Sequence, residues 1–277
     1  MSEGVLTLQE AADELGVHYM TAYRYVRLGQ LEAYKAGGGW RVPAEVLDAF
    51  RRHRAEQPTG GHKTAPWSER LESRLVAGDA AGAWSVVEAA MTAGTSVSGV
   101  YLEMLTPAMR SIGSRWESGE IDISIEHRAS GIATRLIGRL GSRCVRRGRS
   151  RGTVVMGAPV GERHGIVVAV LADLLRLAGW DVSDLGADTP SSSFVAAATT
   201  TDDLVAVALS VTHPEHLEAC AEACAALRDA GLGVPVIVGG QAIRDEQHAQ
   251  ELHADTAACG VSEMISLLDG LRGGAEH

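Results

Sequence analysis

From Arg151 onward, short apolar runs alternate with longer stretches of helical period. The runs are TVVMGAP (153–159), DVSDLG (181–186), LVAVALSV (204–211), PVIVGG (235–240) and a shorter AACG (257–260). Between them, apolar residues recur at three- and four-residue spacing over Gly165–Leu177, Ser191–Thr200, Pro214–Ala230 and Ile243–Leu252. Strands apolar on both faces, each followed by a helix, predict a parallel, doubly wound α/β sheet covered on both sides. Upstream, from Trp67 to Val145, every apolar stretch has helical period. Two helices break at Gly78-Asp79, Pro107 begins a new piece in the third, and a fourth follows over SIEHRASGIATRLIGRLG. This predicts a four-helix bundle. The first residues read as a helix Leu8–Leu15, a turn at Gly16 and a second helix His18–Leu28. A hairpin over LEAYKAGGGWRV and a last helix opened by Pro43 complete the segment. The expected organisation is an all-α winged helix-turn-helix over 1–57, a linker over 58–66, a bundle over 67–147 and the α/β domain over 148–277.

Charge sharpens the division. The net charge is −10, yet from Gly152 onward there are 5 basic and 18 acidic residues, against 20 basic and 17 acidic before it. A nucleic-acid contact therefore belongs to the N-terminal part. No run approaches the ~18 apolar residues that span a bilayer. The N-terminus has no basic region ahead of an apolar core, which makes the cytoplasm the expected location. The four cysteines form no C-x-x-C pair, and the plain expectation is reduced, buried thiols. The basic run RCVRRGRSRG reads first as a solvated connection and second as a phosphate contact.

In AADELGVHYMTAYRYVRLG, Ala11, Ala12, Leu15, Val17 and Ala22 supply the internal packing of two helices around Gly16. That leaves His18, Tyr19, Thr21, Tyr23 and Arg24 on or near the open face of the second helix, with Arg27 on the same helix and Lys35 and Arg41 on the wing. From His18 to Arg54, seven Lys/Arg face three Asp/Glu, which favours duplex DNA over a small interaction module with solvated charges. The segment resembles excisionase-like winged helix-turn-helix domains, relatives of the MerR type.

A single histidine, His164, stands where the first α/β strand gives way to its helix. A surface or capping histidine is the plain reading. Glu162, two residues earlier, can hold one ring nitrogen and make the other a better metal donor. Ser210 and Thr212 follow the third strand, and Gly239 and Gly240 follow the fourth. Small and hydroxylated residues at these strand ends leave room for a long, tail-like ligand. The pattern resembles cobalamin-binding domains, which carry Asp/Glu-x-His-x-x-Gly, then Ser-x-Leu/Thr, then Gly-Gly. The resemblance implies cobalamin with His164 as lower axial ligand to cobalt, and a nucleotide tail lined by Ser210, Thr212, Gly239 and Gly240. Val167 stands where that motif ends in glycine.

In the bundle, Trp116 is followed after nine residues by Glu126-His127. Taken plainly these are a core tryptophan and a solvated helix start. The spacing resembles light-dependent cobalamin photoreceptors of the CarH and LitR type. That resemblance implies adenosylcobalamin, with Trp116, Glu126 and His127 over its upper face, and a homo-oligomer whose assembly and DNA binding follow the upper ligand. Glu117 occupies the position of a histidine that binds cobalt after light in some of them. A flat apolar ring and a few hydrogen-bonding groups in a dry pocket suit an adenosyl group. The alternatives are a corrinoid carrier for a methyltransferase and a sensor of another tetrapyrrole. The N-terminal segment and Trp116 argue against the carrier. No nucleophile–base pair suggests substrate turnover, so the chain reads as a regulator and not an enzyme.

Overall fold

The computed structural model describes residues 4–15, 19–27, 31–36, 39–47, 50, 66–145, 148 and 150–273. They fall into two compact units, 1–65 and 66–277.

In the first unit, β1 (Val5–Thr7) leads into α1 (Leu8–Glu14), α2 (Tyr19–Arg27), β2 (Tyr34–Ala36) and β3 (Gly39–Pro43). Thr7 and Glu10 start α1 reciprocally. The Glu10 backbone N–H donates to Thr7 Oγ1 at 3.2 Å, and the Thr7 backbone N–H donates to Glu10 Oε2 at 2.7 Å. Leu8, Ala11, Ala12, Ala22, Leu31, Val42 and Leu47 form the core. The all-α expectation needs correction, because β1 joins the predicted hairpin in an antiparallel sheet of order β1-β3-β2. Three residues at the chain start carry too little pattern to announce a strand.

The second unit opens with α3 (Trp67–Ala77) and α4 (Ala80–Thr92), separated by Gly78 in the left-handed region (φ 75°). The third helix begins as α5 (Val97–Gly99), widens into π-helical turns over Val100–Leu105 and continues as α6 (Thr106–Glu117). Pro107 thus interrupts the bonding pattern without ending the helix, and the N–H of Thr106 reaches Tyr101 O instead. A fourth helix, α7 (Ile123–Gly141), starts at Asp122, whose carboxylate accepts from the Ser124 N–H at 2.8 Å.

The α/β part runs β4 (Thr153–Gly157), α8 (Gly165–Leu177), β5 (Asp181–Asp184), α9 (Ser191–Thr200), β6 (Leu204–Ser210), a 3-10 turn (Pro214–His216), α10 (Leu217–Asp229), β7 (Val236–Gly239), α11 (Glu246–Glu251), β8 (Thr256–Ala258) and α12 (Val261–Gly273). Its strands pair in parallel in the order β5-β4-β6-β7-β8. One face packs Phe194, Cys220, Cys224 and Leu227 beneath Val155 and Val207. The other packs Val168, Ala172, Leu175 and Leu268 beneath Val154 and Met156. α11 is shorter than its apolar spacing predicts, and α12 is a helix beyond those the pattern predicts.

Helix α8 serves two cores. Val168, Ala172 and Leu175 face the sheet, while Val170 and Leu174 complete the bundle core with Tyr101, Leu136 and Leu140. A buried polar contact accompanies them: the Tyr101 hydroxyl donates to Asp173 Oδ2 at 2.6 Å, and Arg176 donates to Asp173 Oδ1 at 2.9 Å. Burial and the Asp173 carboxylate push the Tyr101 phenol well above its ordinary range. The bundle therefore sits on the helix that begins at His164.

Cys144, Cys220 and Cys224 are buried as expected, but Cys259 is exposed beyond β8. Among the described residues, no helix is long and apolar enough to cross a membrane.

Candidate functional site

Parallel pairing places the carboxyl ends of all five strands on one edge. The order changes direction about β4, whose two neighbours are β5 and β6. In sheets of this kind the loops after such a strand form the binding crevice. The loop after β4 ends on His164, which caps α8 with its backbone and makes no side-chain cap bond. Its ring turns to Glu162. The Nδ1–H bonds to Glu162 Oε1, and the His164 backbone N–H donates to the same oxygen at 3.1 Å. A carboxylate only accepts, so Nδ1 carries a proton, and in the neutral ring Nε2 presents its lone pair. Nε2 has no partner among the described residues, and the side chain is 54% exposed.

Glu162 itself is completely buried. Its Oε2 accepts from the backbone N–H groups of Thr212 at 2.7 Å and His213 at 3.1 Å. Burial alone would push this carboxyl up. The His164 ring and the N–H groups of Thr212, His164 and His213 outweigh it and hold the group at about 2. The hydrogen bond to Glu162 holds the His164 ring above the ordinary histidine range, against burial, and the Glu126 charge adds to it.

A depressed carboxyl stabilises the fold above its unfolded value of 4.5, and that contribution is lost as pH falls toward about 2. Urea midpoints for the wild type are therefore expected to drop steeply across that acid window. In Glu162→Gln the drop is shallower and stability at neutral pH is already lower. Parallel acid limbs in the two proteins would contradict the assignment.

Two neighbouring loops brace this one. The Gly161 N–H donates to Asp188 Oδ1 at 2.8 Å, and the Asp188 N–H donates to Glu162 O at 2.9 Å. Pro159 bridges to Thr189. Ser210, the last residue of β6, is 6% exposed, and its hydroxyl has no hydrogen-bond partner among the described residues. Thr212 lies just beyond it. Gly239 and Gly240 have a reason of their own to be glycine. A Cβ on Gly239 would come within 2.5 Å of Ala258 O, and one on Gly240 (φ 102°) within 2.2 Å of Val211 O.

On the bundle, Trp116 ends α6 at 40% exposure, so it is not a core residue. Glu126 lies in the first turn of α7, with His127 Nδ1 2.7 Å from its Oε2, and Ser130 donates to its Oε1 at 2.6 Å. No hydrogen bond or ring contact joins Trp116 to Glu126 or His127 among the described residues. Val160, Val167, Trp116 and Ile123 are all exposed apolar side chains on these same segments. A further concavity of about 740 Å³ opens at the opposite edge of the sheet, beside Arg151, Trp180 and Asp181, and includes none of the predicted site residues.

In the first unit, His18 lies outside the described residues, and α2 carries Thr21, Arg24 and Arg27. On the hairpin, Lys35 Nζ lies 5.6 Å over the Trp40 ring, and Arg41 donates to Trp40 O at 3.4 Å. The reading from residues alone missed Asp188 and the two backbone N–H groups after Ser210. Only the Asp two residues ahead of a proline, in GADTP, hints at a turn there.

Comparison with known proteins follows this architecture. The B12 binding domain family matches residues 152–266, a second B12 binding domain family matches 67–140, and a helix-turn-helix domain family matches 5–55. The chain is 30% identical over 118 residues to dimethylamine corrinoid protein 3 of Methanosarcina acetivorans, covering 42% of this chain and 54% of that protein. It is 31% identical over 102 residues to glutamate mutase sigma subunit 1 of Haloarcula marismortui, covering 37% of this chain and 67% of that one. The chain thus spans about half the length of the first of these relatives. The monomethylamine corrinoid protein of Methanosarcina barkeri shares the fold, with a TM-score of 0.64 and 18% identity over 74% of this chain and 98% of that one. The residues present suit such a cofactor. A half-exposed imidazole offers Nε2, the Ser210 hydroxyl makes no hydrogen bond among the described residues, and apolar Val160 and Val167 flank the histidine uncovered.

Proposed function

From a chain that belongs to the B12-binding proteins and carries a helix-turn-helix segment ahead of its B12-binding domains, we propose a cobalamin-sensing, light-responsive transcriptional regulator. The observation that carries this reading is the Glu162–His164 pair at the carboxyl edge of the sheet, in one chain with that N-terminal segment. His164 would hold cobalt from below with Glu162 fixing its tautomer. Ser210, Thr212, Gly239 and Gly240 would line the nucleotide tail. Trp116, Glu126 and His127 would enclose the upper side, with adenosylcobalamin as the form that fills it. When bound, cobalamin supplies a cobalt–carbon bond that visible light breaks.

The chain's own part is a cap that can occupy two positions. Trp116 and the Glu126–His127 pair sit on α6 and α7, and α8 ties the same bundle to the sheet. A change in what fills the space between them biases the bundle, and with it the surfaces of a homo-oligomer that binds duplex DNA through residues 5–55. The chain acts here as a cofactor-holding switch in the cytoplasm and not as an enzyme.

Size-exclusion chromatography with light scattering on the adenosylcobalamin complex tests this, first dark and then after green light. The mass is expected to change on illumination, and Trp116→Ala is expected to blunt the change. Because Glu117 replaces a histidine, the lit state should show water or His127 on cobalt. Identical masses despite confirmed photolysis would remove light-driven assembly. The fold and the names of the corrinoid relatives favour a second reading, a corrinoid carrier for a methyltransferase. Under it the full chain would bind no duplex DNA.

A further inference from the structure

Asp188 lies on the same sheet edge as His164, in the loop between β5 and α9, and braces the Glu162 loop without a hydrogen bond to His164 itself. Its backbone is left-handed, with φ 55°. Among non-glycine residues, Asn and Asp tolerate that region best. Left-handed backbone at such a residue persists where the surroundings over-determine it, and it gathers at functional sites. Here two hydrogen bonds run in opposite directions. The Asp188 N–H donates to Glu162 O at 2.9 Å, and its Oδ1 accepts from the Gly161 N–H at 2.8 Å.

Further bonds continue the clamp toward the sheet. The Thr189 N–H donates to Ala158 O at 2.9 Å, and the Ala158 N–H donates to Gly186 O at 2.8 Å. From the other side the His216 ring closes on Gly161, where a Cβ would lie 2.9 Å from Nδ1. Glu162 is thereby held at every polar atom it has for the purpose. Its carbonyl goes to Asp188, one carboxylate oxygen to His164, and the other to the Thr212 and His213 backbone. Asp188 is exposed and belongs to no core cluster, so its hydrogen bonds serve the loop and not the packing of the domain.

We infer that Asp188 is a positioning residue for the axial ligand, clamping residues 161–162 so that Glu162 presents His164 in one fixed orientation. This rests on the cobalamin reading given above. A group that orients a metal ligand is worth about ten- to a hundredfold in affinity for the metal.

Three variants of the full chain separate the contributions. Asp188→Asn keeps the side-chain oxygen and tolerates the left-handed backbone. Asp188→Gly keeps the backbone freely and loses the acceptor. Asp188→Ala loses both. Titrated with adenosylcobalamin in the dark, the Ala and Gly variants are expected to bind up to about tenfold more weakly, the low end of what losing a ligand's own partner costs. A smaller fraction of the bound cofactor should show the histidine-on spectrum, while the Asn variant stays close to wild type. In the unloaded protein, amide exchange at Gly161 is expected to accelerate in the Ala and Gly variants, with the thermal midpoint of the Gly variant unchanged. If Asp188→Ala does not fold, Asp188→Gly, unstrained at this φ, carries the test. Wild-type affinity, spectrum and Gly161 exchange in the Gly variant would overturn the inference, as would an Asn variant as weak as the Gly one. A wild-type protein that binds no cobalamin through histidine would instead overturn the cobalamin reading, and Gly161 exchange would still report on the clamp.

Discussion

Replacing His164 with alanine is expected to abolish the histidine-bound spectrum of added cobalamin and to lower its affinity by more than the ~10–100-fold typical of losing an outer partner of a ligand. The fold should survive. The ring is half exposed, and α8 is capped by the His164 backbone and not by its side chain. Glu162 would lose the imidazole N–H but keep the backbone N–H groups of residue 164, Thr212 and His213. The urea midpoint should therefore move little while the cofactor is lost, which separates a ligand from a structural histidine. Glu162→Gln should lie between wild type and His164→Ala in affinity, because the amide orients the ring less firmly. An unchanged spectrum and affinity in His164→Ala would remove cobalt ligation from this residue and move the search to the other exposed histidines of that edge, His213 first.

The second large effect concerns DNA. Arg24→Ala combined with Arg41→Ala is expected to weaken binding to duplex DNA strongly at physiological salt. It should also reduce the slope of log affinity against log salt by about 0.9 for each phosphate no longer neutralised, close to two in all. Arg24 is on the second helix and Arg41 on the central strand of the small sheet, so they represent helix and wing separately. Each single variant should show about half of that change in slope. Mobility-shift titrations at several salt concentrations measure both quantities. If residues 66–277 alone bind the same DNA as tightly as the full chain, the DNA-binding surface lies elsewhere and the N-terminal segment has another role.

Local pattern went far toward the architecture. A parallel sheet buried on both faces must be written as short β-branched runs, and its crossover helices as three–four spacing. All five strands, the last only as a shorter run, and the helices Gly165–Leu177 and Ser191–Thr200 were therefore legible from residues alone. The helical period of 67–141 likewise announced the bundle, since a stripe of apolar residues has to meet another element. The Glu162–His164 hydrogen-bonded pair was visible as Glu-x-His because both residues lie in one short loop.

What pattern could not supply was anything that depends on a distant partner. Pro107 looks like a break because its missing N–H removes one bond, yet packing around Tyr101 carries the helix through as π turns. β1 is a strand only because β3 lies beside it, and α8 gives no sign in sequence that two of its faces are buried against different cores. Gly239 and Gly240 suggested space for a ligand, whereas their neighbours Ala258 and Val211 already forbid a side chain. Glu162 can be read from sequence as the partner of His164, but its complete burial and the two N–H groups from fifty residues away exist only in the fold. Hydrophobic period is a property of a few neighbouring residues, so it can be read locally. Burial, hydrogen-bond satisfaction and the braces on a loop arise only where separate segments meet, so the chain must fold before they exist.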